Sequence, residues 1–65
     1  MSAPDFYLAN HGSICMLTPL TLRATFWIDD HIDPTAMRMG SSIAIESRFV
    51  QNIVEGIRSD GLTIQ

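Results

Sequence analysis

There is no lysine anywhere in the 65 residues, and the whole basic side of the chain is Arg23, Arg38, Arg48 and Arg58. Seven acidic residues outweigh them, leaving a formal charge of −3. Nucleic-acid binding draws on a concentrated basic patch that releases phosphate counterions, and four scattered arginines make a poor one. Direct DNA or RNA binding is therefore disfavoured. Cysteine is equally scarce: Cys15 stands alone, which excludes a disulfide within the chain and fits a reducing compartment. No stretch approaches the ~20 consecutive apolar residues of a membrane span. The opening Met1-Ser2-Ala3-Pro4-Asp5 has no basic region followed by an apolar run, so no signal peptide is visible. The expectation is a soluble, cytoplasmic protein with no membrane association.

What is present is enough for one small domain, residues 1–65. Apolar residues make up 46% and charged ones 17%, a globular composition and not a disordered one. A chain of this length buries only about 60% of the surface its unfolded form exposes, so little apolar surface can be spared for a deep pocket.

Local patterns divide the chain into elements. Asp5 to Leu17 reads as a β-hairpin, with Phe6-Tyr7-Leu8 and Ile14-Cys15-Met16-Leu17 as strands and Asn10-His11-Gly12-Ser13 as the turn. Asparagine turns back on its own backbone there, and glycine supplies a positive φ. Thr18-Pro19 reads as the N-cap and first residue of a helix, with Leu20, Ala24, Trp27, Ile28, His31 and Ile32 on one arc facing the core. Pro34 forces Asp33 out of the helical region, which ends the helix near Ile32. Ala36 to Glu46 contains a third strand, preceded by a Gly40-Ser41-Ser42 turn, with Met37 and Met39 in phase with Ile43 and Ile45. A second helix is expected from about Ser47 to Asp60, with Phe49, Val50, Ile53, Val54 and Ile57 inward. Gly61 followed by Leu62 suits a Schellman stop, and Leu62-Thr63-Ile64 reads as a last short strand. The expected fold is α+β: a two-layer ββαβαβ domain, its mixed four-stranded sheet carrying both helices on one face, with parallel returns after each helix.

Little in this pattern suggests catalysis. His11 beside Ser13 lacks a third group to orient it and a nucleophile elbow, and a tolerant turn residue explains it better. Asp29-Asp30-His31-x-Asp33 offers metal-ligand chemistry in an unsuitable arrangement, because helical geometry spreads the side chains. A solvated helix end explains them better. Cys15 has no electropositive neighbour and reads as a small buried hydrophobe. Met37 and Met39 suit either an adaptable surface or an irregular core gap. The sequence thus assigns no catalytic, cofactor-binding or metal-binding residue.

The more informative feature is Leu22 with Phe26, four residues apart on the first helix and opposite its core arc. Two large apolar side chains rimmed by Arg23, Asp29 and Asp30 make a patch of the kind that marks protein contacts. The expected partner-binding set is Leu22, Phe26, Asp29, Asp30 and Asp33, with Glu55. A symmetry mate covering the patch, making a homodimer, is an alternative occupant. The uncovered face of the sheet is a second candidate surface.

Across nearly its whole length the chain also resembles a group of very short, mostly uncharacterised proteins of proteobacterial phages, prophages and plasmids. The resemblance rests on Asn10-His11-Gly12-Ser13-Ile14, Leu17-Thr18-Pro19-Leu20-Thr21, Trp27, Glu46-x-Arg48 and Asp60-Gly61-Leu62. It implies a mobile-element origin and an accessory role, and it transfers no catalytic residue. Compactness, acidity and the lack of an enzyme motif together suggest an interaction module that occludes a host or phage protein complex. An anti-CRISPR-like inhibitor of a host defence complex is the concrete form of that expectation, since such complexes present basic grooves toward which a negative face is steered. The alternative is a dimeric nucleic-acid-binding or regulatory accessory protein that gathers its arginines across the dimer.

Overall fold

The computed structural model describes residues 3–32 and 38–65. Its elements run β1 (Phe6–Asn10), β2 (Ile14–Pro19), α1 (Leu22–His31), β3 (Arg38–Met39), β4 (Ser42–Glu46) and α2 (Ser47–Ser59). This is an α+β fold with an antiparallel sheet and two helices. The strand order is β1-β2-β4-β3, with β1, β2 and β4 as its body and the two-residue β3 at the edge. The order ββαββα differs from the expected ββαβαβ, and every pairing between named strands is antiparallel.

The hairpin forms where turn chemistry places it. Gly12 has φ +85°, and its N–H donates to the Asn10 side chain at 2.9 Å. His11 N–H closes the turn on the Ile14 carbonyl at 2.9 Å. The ladder runs further than expected, to Phe6 opposite Pro19. That extension corrects the start of the first helix. Thr18 and Pro19 belong to β2, and the cap is Thr21, whose hydroxyl accepts from Ala24 N–H at 3.2 Å. Leu20 consequently precedes the helix and is exposed, off the core arc.

A helix packed across the sheet does return the chain parallel to the strand it left, but β3 is the strand that keeps this sense. The Gly40-Ser41 turn, with Gly40 at φ +65°, reverses it again, so β4 slots between β2 and β3 and lies antiparallel to β2. The segment expected as the last strand makes a single parallel bridge, Ile64 to Phe6. It is held by Phe6 N–H to Thr63 O and Gln65 N–H to Phe6 O, both at 3.0 Å. The Schellman stop is as expected: Gly61 at φ +81°, with Leu62 N–H to Ile57 O at 3.1 Å and Gly61 N–H to Arg58 O at 3.0 Å.

Both helices press on the same face of the sheet. Phe6, Leu17, Ile43 and Ile45 from the strands meet Ala24, Trp27 and Ile28 of α1 and Ile57 of α2, with Val50, Ile53 and Leu62 packed around them. Each large side chain fully buried here is worth about 1.5–3 kcal/mol. Trp27 is the hinge of this core. Its ring meets Phe6 edge-on at 5.8 Å, and its indole N–H donates to Asp60 at 2.7 Å. Its outer face stacks on His31 at 4.3 Å. His31, expected within the core arc, is therefore an exposed lid on the tryptophan. Phe49, also expected inward, is exposed and lies under the Arg48 guanidinium at 4.7 Å.

Asp5 is the buried residue that the sequence pattern did not single out. It is buried and takes Arg23 in a bidentate pair at 2.9 and 2.7 Å. It also accepts from the Thr21 hydroxyl at 2.7 Å and the Thr63 N–H at 3.0 Å. These donors, the Arg23 guanidinium first, hold its carboxyl far below the usual carboxylate range. Among the described residues no buried side-chain polar atom lacks a partner. Among them also, no helix is long and apolar enough to cross a membrane.

Candidate docking surface

The Thr21 cap fixes the phase of α1. Once Ala24, Trp27 and Ile28 point into the core, a rotation of about 100° per residue leaves Leu22, Phe26 and Asp29 on the opposite side, one above the other. Leu22 is 71% exposed and Phe26 is 58% exposed, the two most open large apolar side chains among the described residues. Their helix is anchored by the core on its other face, so the pair is presented by a rigid element.

Charges adjoin the pair at both ends. Arg23 is drawn toward Asp5, its head still largely in solvent. Asp29 and Asp30 are exposed at the far end, and Asp29 lies 3.8 Å from Arg38 on β3. Of the six expected contact residues, the structure thus brings Leu22, Phe26, Asp29 and Asp30 onto one helix. Asp33 lies outside the described residues. Glu55 sits apart on α2, where its recorded partner is Gln51 at 3.5 Å. The Asp29–Arg38 approach was invisible in the sequence, because it joins a helix to a strand too short to carry a pattern.

The other chemical candidates stay dispersed. Among the described residues no three histidine, cysteine or acidic side chains converge in a way that could hold a metal ion. His31 turns to Trp27, its Nδ1 lying 2.9 Å from the Trp27 carbonyl and its Nε2 3.4 Å from Asp60. Cys15 is buried, 3.7 Å from the Ser47 hydroxyl and 3.9 Å from the Asn10 side chain. His11 and Ser13 are both exposed in the hairpin turn, and no hydrogen bond joins their side chains among the described residues. His11 also borders a shallow depression of about 340 Å³ with Ile14, Met16 and Ser42, on the sheet face away from the helices.

Comparison with protein families, curated proteins and solved structures returned no match for this chain.

Proposed function

We propose that the chain is a non-enzymatic protein-interaction module that works by laying the outer face of α1 against another protein. The observation that carries this reading is the adjacent exposure of Leu22 and Phe26 on a helix whose other face is locked into the core. Large apolar side chains clustered on a rigid element, with charges at the rim, are the usual anchors of an interface. The resemblance to phage and plasmid proteins directs the choice of partner to a host or phage protein complex. Occlusion of a host defence complex of the CRISPR-Cas type is the specific form we favour. Asp29 and Asp30 would meet the basic border of a nucleic-acid groove while Leu22 and Phe26 fill an apolar recess beside it.

A nucleic-acid-binding role draws less support. Arg23 and Arg48 are paired with Asp5 and Glu46 at 2.7 and 2.9 Å, and Arg38 lies near Asp29, so their charge is partly spent within the chain. The test is affinity capture from nuclease-treated host lysate with the wild type and with Phe26→Asp. The substitution falls on an exposed position, so folding should be retained. Loss of an interface anchor worth about 2 kcal/mol weakens capture by about 30-fold. Equal capture by both proteins would remove α1 from the interface.

A further inference from the structure

His31 sits over Trp27 with more acceptors around its ring than a neutral histidine can serve. The imidazole lies nearly parallel to the indole, the ring centroids 4.3 Å apart and the planes inclined by 10°. Its Nδ1 stands 2.9 Å from the Trp27 carbonyl oxygen, one turn back along α1. Its Nε2 stands 3.4 Å from Oδ2 of Asp60, the residue that caps the C-terminus of α2. That same oxygen accepts the Trp27 indole N–H at 2.7 Å. Both ring nitrogens therefore face acceptors, one a carbonyl and the other a carboxylate. A neutral imidazole has one N–H and turns a lone pair toward the second acceptor, whereas the imidazolium donates to both. Among the described residues Asp60 is the charged group that α2 brings against the ring. Arg58 in the last turn of α2 and Asp30 beside His31 on α1 are exposed, and neither bonds to it among the described residues. Asp29 lies toward Arg38 of β3, at 3.8 Å.

We infer that His31 is a pH-operated clasp between the C-terminal ends of the two helices. Protonated on both nitrogens, it donates to Trp27 on its own helix and to Asp60 on the other, and it closes over the indole face. With one proton it serves a single acceptor, and the ring is free to swing out and leave that face to water. The 3.4 Å gap to Asp60 is longer than the roughly 2.7–2.9 Å of a charge-assisted N–H···O bond. There is thus room for the second proton to draw the ring toward α2. Positive charge on the ring is further favoured by the indole face beneath it and by the negative end of the α1 dipole. The His31 and Asp60 side chains are each 47% exposed, so the proton arrives from solvent without any opening of the core. Acidification from about pH 8 to about pH 5, the span in which histidine changes charge, is the signal that such a clasp reads. It acts at the end of α1 beyond Leu22 and Phe26 and needs no docking partner, so the inference stands apart from the role given to that pair.

Nuclear magnetic resonance of the full chain tests it. Side-chain nitrogen shifts report the charge on each imidazole, and cross-relaxation between the His31 and Trp27 ring protons reports closure. Trp27 is the only tryptophan, so its indole N–H resonance is unambiguous, and His11, exposed in the hairpin turn, is the internal reference. Between about pH 8 and about pH 5 the His31–Trp27 cross-peaks should strengthen and the indole resonance should shift, both in step with charging of His31 and not of His11. Asp60→Asn keeps an oxygen for the indole N–H but removes the carboxylate, and the strengthening should be lost with far-UV circular dichroism retained. Should Asp60→Asn fail to fold, His31→Gln, at an exposed position, makes the second test through loss of the indole shift. Cross-peaks of equal strength throughout, cross-peaks that weaken on acidification, a response intact in Asp60→Asn, or an indole shift that survives His31→Gln would each overturn the inference.

Discussion

Replacing Gly56 by alanine should raise the stability of the protein, although the position lies against the core. Gly56 is an interior residue of α2 (Ser47–Ser59) without a positive φ, so its backbone freedom serves no turn. What glycine provides is a close approach to α1: a Cβ at this position would stand 3.4 Å from Cζ2 and 3.9 Å from Cη2 of the Trp27 ring. Both distances fall within ordinary van der Waals contact, the shorter at its near limit, so the methyl group fits with a displacement of a few tenths of an ångström at most. Against that small cost stands the helical preference of alanine over glycine, about 1 kcal/mol in a helix interior. The expected net gain is about 0.5–1 kcal/mol. For a domain of this size it raises Tm by roughly 2–8 °C. Thermal unfolding followed by Trp27 fluorescence and by far-UV circular dichroism reads both the packing and the helix. A fall in Tm of a few degrees would refute the reasoning, showing that the indole, fixed by Asp60 at 2.7 Å and stacked on His31, cannot move aside.

Two further outcomes follow from single contacts. Asp5 has its carboxyl depressed below the ordinary value of 3.8 by the Arg23, Thr21 and Thr63 donors, so its stabilising effect is complete above that value and is lost as the pH falls below it. Urea midpoints measured from about pH 6 down to about pH 2 should therefore drop more steeply in the wild type than in Asp5→Asn, and equal slopes would count against the latch. Gly61→Ala meets no steric obstacle but must hold φ +81°, which costs about 1 kcal/mol. An unchanged Tm would mean that the Schellman turn rearranges freely.

The elements read correctly from the sequence are those governed by neighbours along the chain. Asn10 and Gly12 make a turn wherever two strands flank them, Gly61 ends a helix, and the stripe of Val50, Ile53 and Ile57 has the helical period. The errors arose where distant residues decide. Thr18-Pro19 and Thr21 are both plausible caps, and the choice falls to Thr21 because Phe6 extends the hairpin ladder to Pro19. The Gly40-Ser41 turn was legible, but β3 is too short to show a strand pattern, so the reversal that makes β4 antiparallel was not. Asp5 carries no local signal, since its partners Thr21, Arg23 and Thr63 lie 16, 18 and 58 positions away. The candidate surface was half legible: periodicity alone exposes Leu22 and Phe26, whereas the approach of Arg38 to Asp29 depends on how α1 sits beside the strands.

The seam at Asp5 closes the fold over a long span of chain. Its carboxylate is matched by Thr63, 58 positions away, and the outer edge of β1 by Thr63 and Gln65. A contact between segments so distant is kept only while the chain between them stays ordered. Loosening of the residue 63–65 segment therefore exposes the β1 edge and the buried acid together, so their amide protons should exchange as one unit.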